Sequence, residues 1–153
     1  MFGNNKQFKG GVITVDIYPC FNPAANKIVD KASIPSKILS NSRKVSLYYP
    51  PSYFDNILKK YEVLIMHDGQ NLFNNSQSAF GTAWLIQNTI NQMTSEGKMR
   101  EIIVVGVWNT NDRNNEYTYS RDPEYKFGGK GDKYLDFLEQ ELIPIVENDW
   151  FKG

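Results

Sequence analysis

Two unbroken apolar runs constrain this chain more than any other feature: "VLIM" within Tyr61–His67 and "IIVV" within Glu101–Trp108. Neither alternates with polar residues as a strand with one wet face does. Short runs of this kind are buried on both faces of a parallel sheet. Between them, Thr82–Met93 sets Trp84, Leu85, Ile90 and Met93 on roughly one helical face, with Gly81 and Thr82 near its start and Gly97 at its close. Strand, helix, strand in this order is a βαβ unit. The two strands are therefore expected to be parallel, joined by a right-handed crossover, with Tyr61–His67 a central strand.

The flanks extend the pattern. Gly11–Tyr18 and Arg43–Tyr49 alternate β-branched and polar residues and stop at Pro19 and Pro50-Pro51, so they read as an antiparallel pair at a sheet edge. The polar stretch between them, with Pro23 and Pro35, reads as irregular. Asp132–Glu147 carries Tyr134, Leu135, Leu138, Leu142, Ile145 and Val146 at helical spacing, with Asp132 as its N-cap and Pro144 expected to kink or divide it. The fold class is α/β, a mostly parallel sheet with an antiparallel N-terminal edge. At 153 residues and 41% hydrophobic, the chain has the size of one domain with a sizeable core. Residues 1–42 are a strand with an irregular lead-in. The order β-β-β-α-β-α stops where an α/β chain ordinarily returns to its sheet, so the expectation is a domain cut short.

Charge and residue usage exclude several classes. Seventeen basic side chains balance seventeen acidic ones, so no net field draws the chain to nucleic acid or an anionic membrane. No apolar run approaches the ~20 residues of a membrane span. The lone cysteine, Cys20, allows no internal disulfide, and a cytoplasmic location is the expectation. One histidine and one cysteine far apart form no metal-ligand motif, and no cofactor is expected. Asp68, Asp112 and Glu116 supply carboxylate oxygens but lack a cation-loop signature. Gly128-Gly129-Lys130-Gly131 lacks the spacing of a phosphate loop and reads as a glycine-rich entry to a helix.

In an open parallel sheet, ligands bind beyond the carboxyl ends of the strands. Two polar loops qualify: His67-Asp68-Gly69-Gln70-Asn71 after the first apolar strand, and 109–117 after the second. In the second, Asn109, Arg113, Glu116 and Tyr117 are candidates for a substrate rim. Arg113 and Glu116 equally fit an i, i+3 ion pair holding a solvated loop. Trp84, Tyr134 and Phe137 read as core.

The blocks "YPPSYFD", "YEVLIMHDGQNLF", "EIIVVGVWNTNDRNNEYTYS" and "GGKGDKYLDFLEQELIPIVENDW" resemble, in order and spacing, the N-terminal half of the putative esterase family of α/β-hydrolases, which includes enterochelin esterase-like and feruloyl esterase-like enzymes. The resemblance covers residues 43–150. It implies a partial α/β-hydrolase fold and a serine carboxylic-ester hydrolase with a Ser-Asp-His triad, its serine on a G-x-S-x-G elbow. None of Ser52, Ser76, Ser78 and Ser120 lies in such an elbow. The resemblance places all three triad members beyond Gly153, so the chain alone is expected to have no turnover. His67 precedes the place of a triad histidine. The resemblance instead puts His67, Asp68, Gly69 and Gln70 in the loop that supplies the second backbone N–H of an oxyanion hole. The other reading of His67 is a strand-end residue bonded to the local turn.

The partner implied is a small-molecule ester, bound once the pocket is completed. Two other functions fit the same residues: an inactive acyl- or carbohydrate-binding module, and a protein that associates, with itself included, through an exposed sheet edge.

Overall fold

The computed structural model describes residues 22–56 and 58–150, together with β1 (Gln7–Phe8) and β2 (Gly11–Val12), which pair antiparallel with each other. The rest of the expected strand Gly11–Tyr18 lies outside the described residues. Among the described residues the main sheet has four strands: β3 (Lys27–Ser36), β4 (Asn41–Tyr49), β5 (Glu62–His67) and β6 (Ile102–Val107), in the order β3-β4-β6-β5. β4 runs antiparallel to both β3 and β6, whereas β5 and β6 are parallel, from Glu62 against Ile102 to His67 against Val107.

Three expectations need correction here. The partner of β4 is β3, with Lys27 opposite Tyr49 and Ser36 opposite Asn41. Asp30, Lys31, Ser33 and Pro35 made that segment look irregular, yet on an edge strand polar side chains face water and a proline forfeits no ladder bond. β3 also shifts register between Lys31 and Ile34, where Ser33 has φ 51°. Second, β5 does not take the central place its apolar run suggests but forms the exposed sheet edge that was also expected: among the described residues it ends the sheet, with Val63 and Leu64 43% and 44% exposed, while all six residues of β6 are buried. Third, the first helix, α1 (Ile86–Ser95), begins four residues later than its apolar pattern. The N–H groups of Trp84 and Ile86 bond to the carbonyls of Asn71 and Leu72, at 2.8 and 3.1 Å. This pins 84–86 to the loop after β5 and leaves Trp84 56% exposed rather than in the core.

The chain's last described helix starts as α3 (Gly131–Asp136), passes into a π segment (Phe137–Leu142), a single α turn (Ile143–Ile145) and a second π segment (Val146–Trp150). Pro144 therefore changes the winding without dividing the helix, because flanking π turns accommodate the missing donor. Its N-cap is Lys130, not Asp132, and no side chain caps it. Packing seats the entry instead. The N–H groups of Gly129 and Gly131 both donate to Thr118 O, and a Cβ at Gly131 would come within 3.1 Å of the Tyr119 backbone.

Two cores sandwich the sheet, the usual arrangement of an α/β domain. Val45, Leu47, Ile103, Val105 and Val107 pack on Tyr134, Phe137, Leu142 and Val146 of the last helix. Tyr48, Ile102 and Val104 pack on Leu72, Phe73 and Ile90 on the α1 side. Among the described residues no helix is long and apolar enough to cross a membrane.

Candidate active-site loops

At the carboxyl end of β5, Asp68 turns the chain with φ 53° and ψ 46°, a left-handed conformation that aspartate tolerates better than most residues. A short 3₁₀ turn, Gly69–Asn71, follows and is buried. This turn lies directly on the sheet. A Cβ at Gly69 would sit 2.3 Å from Gly106 O and 2.8 Å from the Trp108 ring, and one at Gly106 would sit 2.6 Å from Leu72 Cδ1. Glycine is thus required at Gly69 by contact with β6, whatever else approaches it. A bulky Gly69→Val variant would test that packing before it tested any chemistry.

Two bonds close the turn: Asn71 N–H to Asp68 O at 2.8 Å and Leu72 N–H to Gly69 O at 3.3 Å. The N–H groups of Gly69 and Gln70 find no acceptor among the described residues, as the first donors of any helical turn are left over. Asn71 Oδ1 accepts from Ala79 N–H at 3.0 Å and Ser78 Oγ at 3.2 Å, tying the next segment to the same turn.

The second loop leaves the neighbouring strand β6 and carries α2 (Arg113–Glu116). The two ends of this helix turn opposite ways. Arg113 pairs with Asp68, their side chains 44% and 13% exposed. Glu116 points inward and is bonded by Arg43, Nη2 to Oε1 at 2.7 Å and Nη1 to Oε2 at 3.3 Å, with both side chains fully buried. Asn41 Nδ2 adds a third donor at 3.0 Å, and the Arg43 guanidinium lies over the rings of Phe137 and Tyr134 at 4.8 and 5.4 Å. The i, i+3 pair of Arg113 with Glu116 is therefore not formed, since each finds a partner outside its helix. Asn109 reaches back to the first loop, its Nδ2 donating to Asp68 Oδ1 at 2.7 Å and its N–H to Gln70 Oε1 at 3.3 Å.

His67 is exposed at the strand end, its Nδ1 3.0 Å from the Tyr134 hydroxyl. Its ring lies 5.2 Å from Tyr117 and 5.5 Å from Tyr134. Burial is the main cause that raises both tyrosine pKa values, so the phenols stay protonated. Asp68 shifts the other way: bonds from Arg113, against some desolvation and aided by Asn109, hold its carboxyl below the ordinary aspartate range. It stays an anion.

The carboxylates considered for a cation each have a basic partner: Asp68 has Arg113, Asp112 has Lys130 and Glu116 has Arg43. Among the described residues no group of three or more His, Cys, Asp or Glu side chains could hold a metal ion. Ser52 has an unusual polar setting, yet at the opposite end of the strands. Its hydroxyl bonds Glu101 and Tyr61, and Lys59 bonds the same carboxylate. Burial disfavours the Glu101 anion, but the Lys59 and Ser52 bonds outweigh it and lower its pKa, making it a poor base. The knot fixes the 51–55 turn to the foot of β6. A cavity of about 270 Å³ opens beside it, lined in part by Lys60, Glu62 and Arg100. It lies at the amino ends of β5 and β6, away from the end where open sheets bind ligands.

A sequence profile described as "Putative esterase" matches residues 36–150. The chain belongs to the putative esterase family. An uncharacterized protein, YbbA of Bacillus subtilis strain 168, is 28% identical over 116 residues, covering 72% of this chain and 42% of YbbA. Among solved structures, an IroE-like serine hydrolase from Shewanella oneidensis is similar with a TM-score of 0.58 and 21% identity, over 78% of this chain and 38% of its own. A ferulic acid esterase from Anaeromyces mucronatus gives a TM-score of 0.53 at 21% identity, over 81% and 43%. The BES protein from Bacillus cereus gives 0.53 at 17% identity, over 97% and 52%. Together with the family match, these likenesses establish a partial α/β-hydrolase fold built on a mixed sheet. The esterase-family chain spans roughly two-fifths to one-half of the relatives it matches.

Sequence reasoning singled out both loops but not the bonds between them. The signal for Asp68–Arg113 was available: each residue follows a parallel strand, and adjacent parallel strands bring their carboxyl-end loops together. Arg43 and Glu116 gave no comparable signal, because two charged residues 73 positions apart announce neither burial nor pairing.

Proposed function

We infer that this chain contributes the first part of an ester-hydrolysing pocket, in which the loop His67–Gln70 offers backbone N–H groups to the carbonyl oxygen of a carboxylic ester. The observation that carries this reading is the pair of unengaged donors, Gly69 N–H and Gln70 N–H, at the carboxyl end of β5. Preorganised donors of this kind stabilise the oxyanion of acyl transfer, each contributing roughly 3 kcal/mol at the transition state. Asn109 and Tyr117 border the site, and a small ester is the substrate class. None of the chain's serines lies in G-x-S-x-G, so the nucleophile, the acid and the base are assigned to the part of the family fold that the chain does not span. A cytoplasmic setting goes with this reading.

Two measurements test it. The ¹⁵N-labelled chain, titrated with methyl ferulate, should show amide shifts centred on Gly69, Gln70 and Asn109. Shifts centred elsewhere, or none, would refute the assignment. A fluorophosphonate probe should label no serine, because none has an activated partner; stoichiometric labelling of Ser52 would mean that the nucleophile is at the other end of the sheet.

A further inference from the structure

Asp68 occupies the left-handed region, and a non-glycine residue stays there only when its surroundings hold it. What holds it comes from the loop after β6. Arg113 closes on its carboxylate as a fork, Nε to Oδ1 at 2.9 Å and Nη2 to Oδ2 at 2.8 Å. Two parallel bonds between a planar guanidinium and a planar carboxylate fix orientation as well as distance, which an ammonium contact does not. Asn109 adds the bond to Oδ1 and the one to Gln70 described above. Arg113 is itself steadied, since its guanidinium lies 4.8 Å over the Tyr117 ring and its one-turn helix is anchored through Glu116 to Arg43.

The geometry points to Arg113 as a positioning residue: through Asp68 it holds the turn that aims the Gly69 and Gln70 N–H groups, and it does not meet the substrate from the rim. This role rests on the ester-pocket reading for its chemistry, while the brace is read from the bonds alone. Rotation at Asp68 swings both N–H groups together, so the fork governs the direction of the donors without touching them. The depressed pKa of Asp68, caused first by Arg113, is in keeping with a permanently charged pair.

The test uses the ¹⁵N-labelled full chain and two variants, Arg113→Gln and Arg113→Lys. In the wild type the Gly69 and Gln70 amides should have order parameters in the rigid range, ~0.85, and in Arg113→Gln they should fall toward ~0.6. The amides of α1 and of the last helix should keep their wild-type values. The Gly69 amide shift should follow Asp68 protonation with an inflection below the usual carboxylate value near 3.9 in the wild type, and move up toward it in Arg113→Gln. Arg113→Lys keeps the charge but not the fork, and should lie between the two. A loop as rigid in Arg113→Gln as in the wild type, or an inflection that does not move, would overturn the proposal. So would full rigidity in Arg113→Lys, which would show that charge suffices. A wild-type chain that ignores methyl ferulate, combined with a loop that loosens in Arg113→Gln, would support the brace and remove the ester reading.

Discussion

Glu116→Ala should destabilise the fold by about 3 kcal/mol, and the size follows from what the variant leaves behind. In the wild type Glu116 accepts three bonds, two from Arg43 and one from Asn41, with no solvent at either charged side chain. Hydrogen bonds to charged groups contribute roughly 1.5–3 kcal/mol each, and three on one carboxylate do not simply add. Breaking a fully buried pair costs roughly 3–5 kcal/mol, chiefly because the surviving charge has no counterion. Here Arg43 would keep the Asn41 Oδ1 contact at 3.2 Å and the faces of Phe137 and Tyr134. That places the expectation at the lower end of the range. Against a total stability of about 5–15 kcal/mol the loss is large. The assay is urea unfolding followed by circular dichroism, with the midpoint falling and the m value unchanged. The double variant Arg43→Met, Glu116→Leu should recover most of the loss, because two apolar side chains leave no stranded charge. A Glu116→Ala loss below about 1 kcal/mol, or a double variant as unstable as the single one, would refute the reasoning.

Three other outcomes are expected. Gly106→Ala should cost about 1–3 kcal/mol in the same urea assay, because its Cβ meets Leu72 Cδ1 at 2.6 Å and the Gly69 backbone at 3.2 Å; a neutral effect would mean that the turn lifts freely from β6. For pH, the folded pKa of Asp68 is depressed, so its contribution to stability is complete above the unfolded value near 3.9 and fades as pH falls through the lowered folded value; acid unfolding of Arg113→Gln should lack that part of the slope. The open edge of β5 should promote self-association measurable by light scattering after size exclusion, and Leu64→Lys should suppress it; a monodisperse wild type would refute this.

The parts of the fold legible in the sequence were those written in unbroken apolar residues. Val63–Met66 and Ile102–Val105 announced β5 and β6 and their parallel pairing, because an unbroken apolar run leaves no polar position to confuse the period, although only β6 is buried along its whole length. β3 was not legible, since Asp30, Lys31 and Pro35 belong to an edge that water solvates, and its identity comes from pairing with β4. The start of α1 was misplaced because Trp84 and Leu85 continue its apolar period while the N–H groups of Trp84 and Ile86 are held by the carbonyls of Asn71 and Leu72. The candidate site was legible as two polar loops. Its internal bonds were not, because a left-handed Asp68 and the fork that holds it depend on where the loops meet.

The contact between Gly69 and Gly106 is one of main chain on main chain, with the side chains of Leu72 and Trp108 packed at its margins. Side chains hop between rotamers and can be exchanged for longer or shorter ones, but the van der Waals thickness of a peptide backbone is the same in every sequence. The height of the His67–Gln70 loop above β6 is thus a dimension that drift at surrounding positions cannot easily retune. On the ester-pocket reading, variation in what this loop meets would come from positions such as Asn109 and Tyr117, while the floor stays at a depth set by the two glycines.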